Sequence, residues 1–199
     1  MITFGPDIET TGKNPFEHKL ITIQLRRKGE THVWKEWESN ERSTILAFLE
    51  FYRGIPRSVK KGGDTFVAFN ALHFDIPFII VRAQKTGVTA REFWSEEWIY
   101  NNLVRWPVIL DLYQLLGDKL MGYAKWRGCL VGTFAEYTNK QMPEFYARGE
   151  YQKIIQYVED EMVSLEKTYS KVLQERFYHQ LEELRSKAAT VPDTLAAEA

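Results

Sequence analysis

Apolar and polar positions alternate over residues 19–28 and again over 31–38, THVWKEWE, and a period of two predicts half-buried strands. Residues 2–9 predict a shorter strand ahead of them, although Pro6 has no N–H to give to a ladder. The period then changes. Ile45, Leu46, Phe48 and Leu49 recur at helical spacing, so a helix is expected over 41–53 with Ser39 as its cap. RGIPRSVKKGGD, 53–64, has the glycine, proline and charge content of a loop. TFVAFN, 65–70, predicts a buried strand, residues 76–85 a helix stopped near Gly87, and WPVILDLY, 106–113, a further strand. Residues 88–104 fit neither period. Helical patterns follow, the last running from about 150 to 185, and the terminal segment 186–199 reads as a tail. Three strands in succession, then strands alternating with helices, predict a mixed α/β sheet in one domain, 1–185, with a weakly ordered tail, 186–199.

The composition narrows the class. Of the 199 residues 44% are hydrophobic and 27% charged, the balance of a globular protein with a sizeable core. A single cysteine, Cys129, excludes an internal disulfide framework and fits a reducing compartment. No stretch is long and apolar enough for a membrane helix, and no secretory pattern opens the chain, so a cytoplasmic (intracellular) protein is expected. The net charge of −1 supplies no global attraction for nucleic acid. Local basic clusters do occur, at Arg26–Lys28, at Arg57, Lys60 and Lys61, and at Lys125 and Arg127.

Three stretches carry candidate chemistry. DIETTG, 7–12, ends an apolar strand in two carboxylates, and residues two apart in a strand point to the same side. Held together, Asp7 and Glu9 repel unless neutralised, and a hard divalent cation with oxygen ligands does that. The same letters also suit a plain strand end and turn. In FNALHFD, 69–75, a buried strand delivers Asn70 and a helix starts near Asp75, which is either a site acid or the helix cap. His73 has no His or Cys at ligand spacing. In QYVEDEM, 156–162, Tyr157 stands beside acids that otherwise read as a solvated helical face. Each α-helical residue advances about 100°. On that wheel Glu161 and Tyr157 flank the apolar stripe centred on Val158, whereas Asp160 faces water.

In chain order, DIETTG, N-x-x-x-F-D and Tyr157 with an acid four residues on resemble the tyrosine branch of the DEDD 3′–5′ exonucleases (DEDDy). The resemblance is closest to the exonuclease domains of family B DNA polymerases and their stand-alone relatives, and it runs from residue 1 to about 173. It implies a ribonuclease H-like fold: a five-stranded mixed sheet, its second strand antiparallel to the rest, with helices on both faces. It also implies a hydrolase that removes nucleotides from a nucleic-acid 3′ end, DNA ahead of RNA, with two Mg²⁺ or Mn²⁺ ions. Asp7, Glu9, Asp75 and Glu161 would be the metal ligands, Tyr157 would orient the attacking water, and Thr10, Thr11, Gly12 and Asn70 would meet the terminal nucleotide. A His in the place of Gln156 would mark the histidine branch instead. The chain departs from the pattern at Glu161, where the family carries Asp. The leading expectation is a stand-alone exonuclease, with a replication or repair partner for any proofreading role and no membrane. An inactive fold that binds nucleic acid or protein is the second, and an assembly role for the long helix the third.

Overall fold

The structure is a computed structural model and describes residues 1–56, 64–89, 95–105, 107–116, 128, 131–132 and 136–174. The basic positions Arg57, Lys60, Lys61, Lys125 and Arg127, Cys129, and the tail 186–199 lie outside the described residues. The chain divides into two compact units, Met1–Asp111 and Leu112–Ala199.

The first unit is built on one sheet of five strands, β1 (Ile2–Thr10), β2 (Leu20–Arg27), β3 (Glu30–Lys35), β4 (Thr65–Ala68) and β5 (Val108–Asp111), in the order β3-β2-β1-β4-β5. β2 is antiparallel to β1 and β3, whereas β1, β4 and β5 run parallel. This is the mixed sheet expected from the sequence. Pro6 is accommodated by a slip: pairing between β1 and β2 is irregular from Phe4 to Asp7, where proline has no donor to offer.

Two helices, α1 (Glu41–Arg53) and α2 (Asp75–Lys85), share the core of this unit with the sheet. Ile8, Ile23 and Leu25 from the strands are buried in one cluster with Ile45, Phe48 and Leu49 of α1 and Ile76 and Ile79 of α2. Each such side chain contributes roughly 1.5–3 kcal/mol on full burial. Tyr52 bridges the layers, with its ring 5.4 Å from Phe48 and 5.1 Å from Phe66.

Several local expectations are corrected. The cap of α1 is Asn40 rather than Ser39: the Asn40 side chain accepts the Ser43 N–H at 2.9 Å, while the Ser39 N–H donates back to the Glu36 carbonyl. The third strand stops at Lys35, and Glu36–Glu38 form a 3₁₀ turn. The reason lies in its neighbour, since the ladder ends at Thr22 and Lys35 and the Leu20 N–H is taken by the Glu41 carboxylate at 2.7 Å. The last strand stops at Asp111, and Leu112–Leu116 form a short helix, α4. The unassigned stretch contains a short helix, α3 (Glu96–Tyr100), and a π-helical turn, Asn101–Arg105, with Ile99 and Leu103 buried.

Arg27, the middle member of the Arg26–Lys28 cluster, is spent internally. Arg27 Nε donates to Asp64 Oδ2 at 2.8 Å, and Thr3 Oγ1 donates to the same oxygen at 2.7 Å. Burial disfavours the Asp64 anion, but these donors and the Arg27 charge outweigh it and lower its pKa.

The second unit contains α4, a 3₁₀ turn (Asn139–Gln141), α5 (Met142–Arg148) and the long α6 (Tyr151–Gln174). Thr138 and Gln141 form a reciprocal capping box, and Gly149, at φ 71°, ends α5 in the left-handed region that glycine adopts freely. α6 buries Ile154, Val158, Met162, Leu165 and Val172, the stripe read from the sequence.

Candidate functional site

The sheet register sets out the site. Asp7 and Glu9 on β1 point away from the core to which Ile8 belongs. Directly across on β2 stand Gln24, opposite Asp7, and Thr22, opposite Glu9. Glu9, Thr22 and Gln24 are buried, and Asp7 is half-buried. One face of an antiparallel pair thus carries four polar side chains where apolar ones would pack more cheaply.

Asp75 arrives from the other direction. β1 pairs with β4 only as far as Phe4 and Val67, and the chain leaves β4 through a turn over 69–74. Asn70 makes that turn at φ 63°, a left-handed conformation that asparagine tolerates better than most residues. Its N–H donates to Asp111 Oδ1 at 2.7 Å, and the Leu72 N–H donates to Asp111 Oδ2 at 3.1 Å. Asp111 therefore fixes the turn that delivers Asp75. A hydrogen bond to a charged group is worth roughly 1.5–3 kcal/mol. We expect Asp111→Ala to cost about 1–3 kcal/mol in urea unfolding, with two part-buried N–H groups left without their acceptor. A loss under about 0.5 kcal/mol would show that the turn holds without it.

The capping role for Asp75 does not hold. Phe74 occupies the cap position of α2 with no side-chain cap bond, and Asp75 Oδ1 accepts the Ile8 N–H of β1 at 3.1 Å. The Asp75 and Asp7 side chains are hydrogen-bonded to each other. Two sequence-predicted acids, 68 positions apart in the chain, thus meet within the first unit.

The surroundings push the Asp7 carboxyl up to about 6. Burial by the packed atoms around it is the main cause; hydrogen bonds from Gln24, from the Ile8 N–H and with Asp75 partly offset it. Two carboxyl groups this close retain a proton between them when nothing else balances their charge. A hard divalent cation takes the proton's place and prefers carboxylate oxygens. The donor set fits such an ion.

Thr10, Thr11 and Gly12 begin the loop that joins β1 to β2. Thr10 Oγ1 donates to the Gly12 carbonyl at 2.8 Å, and the Thr11 hydroxyl accepts the Lys19 N–H at 3.0 Å. At Gly12 a Cβ would lie 2.3 Å from the His18 ring, so a side chain there would displace that ring. The loop is held from below by Arg82, whose Nη1 donates to the Pro15 carbonyl at 3.0 Å. Lys85 donates to the Phe16 carbonyl.

Tyr157 and Glu161 belong to the second unit, on α6. Tyr157 is buried, Glu161 half-buried, and Asp160 exposed. Gln24 and Thr22 escaped the sequence reading. Their signal was the pair of polar letters two apart inside the apolar run LITIQL, but matching it to Asp7 and Glu9 needs the strand register.

No family model matches the chain. Over 95 residues it is 33% identical to a protein described as a DNA polymerase from Thermococcus aggregans, a segment that covers 42% of this chain and 5% of that protein. The chain therefore spans about a twentieth of that relative's length. The family B DNA polymerase of the archaeon Pyrobaculum calidifontis superposes on 86% of this chain with a TM-score of 0.66 at 15% identity, through 24% of its own length. The fold is of the α/β class, with a five-stranded mixed sheet, and it is shared with the part of that polymerase on which the chain superposes.

Proposed function

We propose that this chain carries the hydrolytic machinery of a 3′–5′ exonuclease and removes nucleotides from a nucleic-acid 3′ end, single-stranded DNA ahead of RNA. The observation that carries the reading is the meeting of the Asp7 and Asp75 carboxyls beside β1, on a fold shared with a DNA polymerase. Asp7, Glu9 and Asp75 would hold divalent metal, Mg²⁺ or Mn²⁺, with Glu161 as the fourth proposed ligand, and two such ions would supply the charge stabilisation that an in-line displacement needs. Tyr157 orients the water that attacks the last phosphodiester. The loop after Glu9 presents Thr10, Thr11 and Gly12 to the terminal nucleotide, and Asn70 lies at the turn that leads to Asp75. The DNA polymerase relationship supports nucleic acid as the substrate class. Glu161, one methylene longer than the Asp of the family pattern, favours a second reading, a fold that binds nucleic acid without cleaving it.

The test is a 5′-labelled DNA or RNA oligomer incubated with the protein and Mg²⁺, Mn²⁺ or chelator. Stepwise shortening from the 3′ end, abolished by chelator, is expected. The helical register of α6 adds a sharper expectation. Glu161→Gln should remove most of the activity, and Glu161→Asp should retain or raise the Mg²⁺-dependent rate. Asp160→Ala, at an exposed position, should leave the rate within about twofold, since surface changes rarely exceed 0.5 kcal/mol. Full activity in Glu161→Gln, with activity lost in Asp160→Ala, would overturn the ligand assignment.

A further inference from the structure

Gln24 has no role in the reading above, yet its surroundings are specific. It lies on β2 directly opposite Asp7 and is fully buried, as is Thr22 two residues earlier. Its Nε2 donates to Asp7 Oδ2 at 2.6 Å, and its Oε1 accepts the Thr22 hydroxyl at 2.9 Å. The Asp7 carboxylate, which only accepts, decides the orientation of the amide, and the Thr22 hydroxyl braces its other end. The opposite rotamer would set the Gln24 carbonyl oxygen against the Asp7 carboxylate, lone pair against lone pair.

We propose that Gln24 is a positioning residue for Asp7: its amide, braced by Thr22, fixes the plane in which the Asp7 carboxylate meets a divalent cation. Three arguments converge. First, the terminal torsion of an aspartate is soft, so a carboxylate left alone samples a wide range of orientations. A short hydrogen bond from a side chain that cannot itself move removes that freedom. Second, the donor is neutral. A Lys or Arg at this position would hold Asp7 equally well but would oppose the entry of a cation, whereas an amide leaves the full carboxylate charge available. Third, the position is costly for a polar residue. An amide buried in a strand of Ile and Leu neighbours costs stability unless it is bonded, and a core residue would serve the fold better. Partners standing behind a metal ligand typically change metal affinity 10–100-fold when removed.

The inference rests on the metal reading above, and the test separates the two. Mn²⁺ binding to the full chain, without nucleic acid, is followed by electron paramagnetic resonance, and Mg²⁺ binding by competition against Mn²⁺. Gln24→Met keeps the side-chain length and removes the donor; Thr22→Val removes only the hydroxyl that braces it. Gln24→Met should weaken Mg²⁺ binding roughly 10–100-fold. Mn²⁺ binding should weaken less, because Mg²⁺ demands near-ideal octahedral geometry. Thr22→Val should shift both in the same direction by a smaller factor, and it carries the test alone if Gln24→Met does not fold. A purely structural Gln24 would lower the melting temperature and leave the Mg²⁺ to Mn²⁺ affinity ratio where it was. Wild-type Mg²⁺ affinity in the folded variants overturns the positioning role. A wild-type protein with no saturable Mn²⁺ site overturns the metal reading itself, and the role of Gln24 with it.

Discussion

Asp7→Ala is expected to lower the rate of 3′ nucleotide release more than about a hundredfold, since removing even a partner behind a metal ligand costs 10–100-fold. Asp7 is the acid on which the site converges, bonded to Gln24 at 2.6 Å and paired with the Asp75 carboxyl. The same residue predicts an opposite effect on stability. Its pKa stands at about 6 in the folded chain, against an ordinary value of 3.8. Between these values the unfolded chain has released a proton that the folded chain still holds. Stability from this group is therefore present at low pH, falls as pH rises through that window, and stays reduced above it. At about 1.4 kcal/mol per unit, the shift amounts to roughly 3 kcal/mol. Asp7→Asn keeps an acceptor for Gln24 and gains a permanent donor toward Asp75. The metal-free variant should therefore be more stable than wild type above about pH 6, by up to roughly 3 kcal/mol, with the difference shrinking to nothing near pH 4. Added Mg²⁺ should stabilise wild type and leave Asp7→Asn nearly unmoved. Urea unfolding at pH 4, 6 and 8, with and without Mg²⁺, checks all of this. A variant no more stable than wild type at pH 8 would show that burial does not hold the Asp7 carboxyl above its ordinary value.

The second large effect is expected at Glu41. Its Oε1 accepts the Leu20 N–H and Arg82 Nε, both at 2.7 Å, and its Oε2 accepts Arg82 Nη2 at 2.6 Å. Arg82 also holds the Pro15 carbonyl, so one ion pair ties the start of β2, the start of α1, the last turn of α2 and the loop after Glu9. Both side chains are nearly buried, at 10% and 12% exposure. Removing one member of such a pair leaves an uncompensated charge and costs about 3–5 kcal/mol, well above the 0–1 of an exposed pair. Glu41→Ala should lose that much in urea unfolding. Joint replacement by apolar residues of similar volume, Glu41→Leu with Arg82→Met, should recover most of it, although the Leu20 N–H remains without its acceptor. A single-variant loss below about 1 kcal/mol would mark the pair as no better than a surface bridge.

How much of this was legible in the sequence follows from the range of the physics involved. The strands and the long helix could be read because their signals are local. The alternation over β2 and the stripe on α6 are fixed by backbone geometry within a few residues. The same local geometry separated Asp160 from Glu161 and put Asp160 in water, where the structure has it. Ends were read less well, because they depend on partners elsewhere. β3 stops at Lys35 because Glu41, beyond the next turn, takes the Leu20 N–H. Asn40 rather than Ser39 caps α1 because the preceding 3₁₀ turn engages Ser39.

For the site, the sequence by itself determined that Asp7 and Glu9 share a side, since a strand has a period of two wherever it lies. Whether Asp75 was a cap or a site acid was not decidable from its neighbours, because both roles suit an acid ahead of an apolar helix. Tertiary structure removed the cap, by ending the β1–β4 ladder at Phe4 and turning the Asp75 carboxylate onto the Ile8 N–H. It also decided the partner of Asp7. A register shift of one residue on β2 would have placed Ile23 or Leu25 opposite Asp7 and carried Gln24 to the other face. Register is set by the packing of Ile8, Ile23 and Leu25 against α1 and α2, an interaction among segments far apart in the chain that no window of the sequence contains.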